Sequence, residues 1–76
     1  MPELPIIKTK DMLKFLQKYG CVLLSVNGSH HKLYNPANNR PTILAVHAGT
    51  DLKKAMFSKV LKDLGIDTDD FLKFIG

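Results

Sequence analysis

Seventy-six residues with 45% hydrophobic content are enough for one small folded domain and too apolar for a disordered chain. A single cysteine, Cys21, excludes the disulfide framework that small secreted domains usually need. No apolar run approaches bilayer length, and Met1-Pro2-Glu3-Leu4-Pro5 lacks the basic and apolar regions of a signal peptide, so a cytoplasmic protein with no membrane association is expected. Eleven Lys and Arg against seven Asp and Glu give +4, which favours a polyanionic partner. Before residue 63 the only acids are Glu3, Asp11 and Asp51, so the central part is more basic than the average, as suits nucleic-acid binding. So short a chain buries only about 60% of the surface its unfolded form exposes, and a second copy or a bound partner would add burial.

Pro2 to Lys8 reads as extended. Thr9 is the expected N-cap of a helix over residues 10–19, with Asp11 in its first turn and Met12, Leu13, Leu16 and Tyr19 at helical spacing. Gly20 is its stop. A hairpin follows, in which Asn27-Gly28 between Cys21–Val26 and Ser29–Tyr34 signals a two-residue type I′ turn. Asn35-Pro36-Ala37-Asn38-Asn39-Arg40-Pro41 is a turn-forming link to a third strand, Thr42–Val46. His47-Ala48-Gly49 breaks that strand, and Thr50 or Asp51 caps a second helix. Leu52, Met56, Val60, Leu61 and Leu64 form its apolar stripe, and Gly65 ends it. Asp67 caps a short last helix, with Ile66 and Phe71 as a hydrophobic staple. The order is α-β-β-β-α plus a short C-terminal helix. An α+β fold is expected, a three-stranded antiparallel sheet with helices on one face.

A turn centred on Asn27-Gly28 pairs Val26 with Ser29, Leu24 with His31 and Val22 with Leu33. Val22, Leu24, Val26 and Leu33 then mark the core side and draw His31 with them. Cys21, Leu23, Ser25, His30, Lys32 and Tyr34 share the open face. A three-residue loop would reverse the second strand. His30 therefore leads His31 as the general base or acid, histidine being the side chain best suited to proton transfer near neutral pH. Set against this, two adjacent histidines at a strand end are more often bonded to backbone or water. A metal site is not expected, because neighbours on a strand point apart and no Cys or carboxylate cluster accompanies them. Ser29, Lys32 and Tyr34 are candidate RNA contacts beside the histidines. His47 stands where a phosphate at the second helix's N-terminus would meet it, though a plain joint residue reads as well. Lys53 and Lys54 oppose the helix dipole there, at a cost of about 0.3–1 kcal/mol each when exposed, which an RNA phosphate would offset. A solvated lysine face is the competing reading.

Gly28-Ser29-His30-His31 after a short helix and strand, then Val46-His47-Ala48-Gly49-Thr50-Asp51-Leu52-Lys53, then Val60-Leu61-Lys62-Asp63-Leu64-Gly65-Ile66, resembles the HicA family, the toxins of HicAB toxin–antitoxin modules. The resemblance runs from about residue 10 to 75. It implies a double-stranded-RNA-binding-domain-like fold and residues 1–76 as one RNA-cleaving domain. It also implies metal-independent cleavage of messenger RNA, with no cofactor, by the histidine of the Gly-Ser-His motif. That histidine falls on His30, with His31 as the runner-up. The second proton carrier stays open between His31, Tyr34 and water. The implied partners are messenger RNA and a HicB-like antitoxin that covers the active site, with a homo-oligomer conceivable inside that complex. Ala45 stands where relatives often have Pro, and Ala55-Met56-Phe57 where they often have a Gly-Thr-Leu-like stretch. Neither departure removes a proposed catalytic group. A non-catalytic double-stranded-RNA-binding module is the competing function, since such a domain needs a basic face but no histidine pair.

Overall fold

The computed structural model describes residue 4 and residues 6–76, so Pro2 and Pro5 of the expected extended lead lie outside the described residues. The elements run α1 (Thr9–Tyr19), β1 (Val22–Asn27), β2 (His30–Asn35), β3 (Arg40–Ala45), α2 (Lys54–Leu64) and α3 (Thr68–Ile75). The fold is α+β, with one antiparallel sheet in the order β1-β2-β3. Helices cover one face of it. Met12 and Leu16 of α1, Phe57, Val60, Leu61 and Leu64 of α2 and Phe71 of α3 close over Leu33 and Leu44 of the sheet. Each such side chain, fully buried, contributes about 1.5–3 kcal/mol relative to exposure. Phe71 joins the three helices, tilted against Tyr19 with ring centroids 5.5 Å apart and edge-on to Phe57 at 5.9 Å.

The caps depart from expectation in an orderly way. Thr9 is the first residue of α1, not its N-cap. Its hydroxyl instead donates to the His47 carbonyl at 3.0 Å and accepts from the His47 amide at 3.0 Å. Neither Thr50 nor Asp51 caps α2. The N-cap position is Lys53, without a side-chain cap. Residues 50–52 are drawn to the start of α1, where the Thr50 carbonyl accepts from the Thr9 amide at 2.9 Å and Asp51 pairs with Lys8 at 2.7 Å. Because α2 starts later, its buried phase is Phe57, Val60, Leu61 and Leu64. Met56 is exposed, and Leu52 is buried from the turn before the helix. Gly65 stops α2 in the left-handed region, φ 69°. The Asp67 cap and the Ile66–Phe71 staple of α3 are as expected: Asp67 accepts from the Asp70 amide at 3.1 Å, and both apolar partners are buried.

The hairpin is also corrected. The turn is centred on Gly28-Ser29, and Asn27 pairs with His30 as the last rung. Gly28 has φ 61° and Ser29 is not in the positive-φ region, a pattern of type II′ and not I′. The pairs are therefore Val26–His31 and Ser25–Lys32, after which Leu24 is skipped and Leu23 faces Leu33. A bulge of one residue exchanges the faces of the strand beyond it. Leu23 turns to the core, where the open face was expected. Val22 turns to the open face, where the core was expected. Cys21 is buried, also against expectation, and burial pushes its thiol pKa up. β3 begins two residues earlier than expected and ends at Ala45.

Candidate active site at the hairpin tip

β2 alternates as the sequence implies. His31, Leu33 and Asn35 face the helices, while His30, Lys32 and Tyr34 face the open side. The facing survives the corrected turn because the register moved by two residues, an even number.

His31 is half-buried, between Val26 and Leu44 as cross-strand neighbours. Its Nδ1 lies 2.9 Å from the Ser29 carbonyl oxygen. A carbonyl only accepts, so Nδ1 carries a proton and donates. In the neutral ring Nε2 then holds the free lone pair, and the backbone bond fixes the ring's direction. The same Ser29 carbonyl accepts from the Val46 amide at 2.8 Å, which ties the turn to the end of β3. Ser29 thus acts through its carbonyl, which local sequence gave no reason to expect.

His30 is exposed on the other face, in a shallow hollow with Ser25, Asn27, Lys32 and Ile43. Tyr34 is not brought to it. Four residues along a strand is roughly 13 Å, and the Tyr34 hydroxyl donates to Asn39 Oδ1 in the next turn.

His47 and the two lysines gather at the same end of the molecule as the hairpin tip. The Ser29–Val46 bond places the end of β3 beside the turn, and Thr9 grips His47. The Leu52 amide donates to the Ile7 carbonyl at 2.7 Å, which fixes the approach to Lys53 and Lys54. α2 runs back against β3, its last turn held at the opposite end by Arg40 Nε donating to the Asp63 carbonyl at 2.9 Å. Lys53, Lys54 and His47 are exposed. Among the described residues the ion pairs are Lys8–Asp51 and Lys59–Asp63, so neither Lys53 nor Lys54 has an acidic partner there. The sheet and its turns carry no carboxylate at all, since no Asp or Glu lies between Asp11 and Asp51. Among the described residues no three His, Cys, Asp or Glu side chains gather as metal ligands would, and no helix is long and apolar enough to cross a membrane.

The geometry therefore offers a basic atom of fixed direction, His31 Nε2, on a tip that shares its end of the molecule with unpaired cations. Residues 9–66 match the profile of a family described as the HicA toxin of bacterial toxin–antitoxin systems. No curated protein sequence matches significantly.

Proposed function

Because the chain belongs to the HicA toxin family of bacterial toxin–antitoxin systems, we propose that it acts as a metal-independent endoribonuclease on messenger RNA in the cytoplasm. The observation that carries this reading is the Nδ1 bond to the Ser29 carbonyl, which leaves the half-buried His31 with Nε2 as an oriented acceptor beside the hairpin turn. Nε2 takes the proton from a ribose 2′-OH. The 2′ oxygen attacks the adjacent phosphorus, the bond from phosphorus to the 5′ oxygen breaks, and a 2′,3′-cyclic phosphate remains. Water at the open tip gives a proton to the departing 5′ oxygen, since Tyr34 is committed to Asn39 at the far end of β2, and the hydroxide left behind takes the proton back from Nε2, restoring the neutral imidazole. Lys53 and Lys54 hold flanking phosphates, and their charge offsets the charge that develops on the scissile group. His30 and Lys32, on the other face, guide the strand toward the tip.

The test is single-turnover cleavage of a messenger RNA with chelator present. His31→Ala is expected to lose about 10²–10⁴-fold in rate, the usual worth of general acid–base catalysis, while RNA affinity stays near wild type. His30→Ala is expected to lose much less. Should His30→Ala be the inactive variant, the roles are exchanged. Normal cutting by both variants removes the histidine mechanism. Wild-type binding without cutting leaves an RNA-binding module.

A further inference from the structure

We propose that the free edge of β1 is the docking site of the antitoxin, which adds an extended strand there and carries acidic side chains across to Lys32 and His30. The proposal rests on the toxin reading and concerns how the active tip is regulated.

The sheet has two edges. β3 is blunted: Pro41 removes one donor, Arg40 charges its start, and α2 packs against it. β1 has none of that protection. Val22–Asn27 contains no charged residue and no proline. Among the described residues no backbone hydrogen bond joins it to anything beyond β2. The helices stop short of it, so Val26 and the bulged Leu24 stand 54 and 52% exposed, and Val22, turned to the open face, stands 46% exposed. These apolar residues sit where sequence patterning calls for a core, and they have no cover in the isolated chain. An unprotected, apolar strand edge is a template for another strand.

Charge selects the occupant. Every charged side chain from Met12 to Thr50 is a lysine or an arginine. Two copies paired through β1 would set two such sheets side by side, an arrangement that like charge opposes. RNA has no use for a Val-Leu-Leu-Val edge. A protein strand with apolar residues toward Leu24 and Val26, and Asp or Glu toward the open face, meets both features. It would lie about 10 Å from β2, and the small Ser25 and the Asn27 between leave room for Lys32 and His30 to be reached. β1 runs directly into Gly28-Ser29, so a strand seated on it also blocks RNA from the tip.

The test uses the full-length toxin and the purified antitoxin encoded beside it. Leu24→Lys and Val26→Lys are expected to weaken the complex at least tenfold and to escape neutralisation in cells. RNA cleavage by Leu24→Lys, and the melting temperatures of both free variants, should hold. Phe74→Lys, at a half-exposed position of α3, should bind as wild type. Amide exchange of the wild-type complex is the second readout, expected to show new protection across Val22–Asn27. Unchanged exchange there, or wild-type binding by both β1 variants, overturns the proposal. So does a wild-type toxin that is dimeric alone and becomes monomeric with Val26→Lys, since a second copy would then be the occupant. A complex that forms through β1 with a toxin that never cuts RNA sinks the cleavage chemistry alone.

Discussion

Asp63 shows how one side chain joins α2 to the sheet. Its carboxylate accepts from Lys59 Nζ at 2.8 Å and from the Thr42 hydroxyl at 3.0 Å. The Lys59 bond foremost, then the Thr42 bond, holds its pKa below the usual carboxylate value. A carboxyl with a lowered folded-state pKa adds stability above its unfolded value near 3.8, and that stability is lost as pH falls through the folded value. Thermal melts of Asp63→Asn should show a smaller fall in stability on acidification below about pH 4 than wild type does. Equal acid sensitivity would mean that the two bonds do not discriminate between protonation states. His31 is the other residue whose setting one bond decides. Alternation along β2 indicates which face it takes, but only the Ser29 carbonyl decides which ring nitrogen is left without a backbone partner.

At the scale of elements, the β2–β3 turn is built to finish α2. Asn35 Nδ2 and Asn38 Nδ2 both donate to the Leu64 carbonyl, at 2.8 and 2.9 Å, and Arg40 Nε donates to the carbonyl of Asp63. These are the carbonyls a helix leaves unpaired at its C-terminus. Gly65 follows with positive φ, and a Cβ there would strike Asn38 Nδ2. Asn35 is buried and also accepts from the Ala37 amide at 3.1 Å, so it holds turn and helix together. Asn35→Ala removes bonds inside a buried site and should cost about 1–3 kcal/mol by denaturant unfolding. Asn35→Asp should cost more, because a carboxylate cannot donate to Leu64. A loss below a few tenths of a kcal/mol for either would show that water replaces the amide. The sequence marks Asn35–Pro41 as a turn by composition, yet gives no sign that its amides serve a helix some 30 residues on.

For the whole molecule, the proposed function and the proposed docking edge fall on different parts of the fold, the first on one end and the second on β1. The tip, His47, Lys53 and Lys54 occupy one end, and β1 leads into it. If Lys53 and Lys54 each neutralise one phosphate, replacing either with Ala should weaken RNA binding across sequences and lower the salt slope by up to about one unit. An unchanged slope, measured by titrating binding against salt, would make them a solvated cap of α2. Mixing the toxin with its antitoxin should abolish RNA binding as well as cutting, because the partner then sits beside the tip.

The sequence alone determined the element order, the α+β class, both glycine stops, the Asp67 cap and the facing of His30 and His31. All of these rest on spacing within a few residues, where backbone geometry and periodicity act directly. The same local signals also carried the family resemblance through Gly28-Ser29-His30-His31 and the late Leu64-Gly65. Tertiary structure decided the rest. The exact turn, the Leu24 bulge and the reversed faces of Val22 and Leu23 follow from how β1 fits against β2, and one skipped residue is invisible to a period-two pattern. Thr9 and Asp51 left their expected caps because partners far along the chain, His47 and Lys8, bound them instead. Val22, Leu24 and Val26 read as core because they are apolar and lie in a strand. Val22 is exposed because the bulge turns it to the open face, and Leu24 and Val26 because three short helices are too few to cover a third strand, which is a property of the packed whole and of no residue in it.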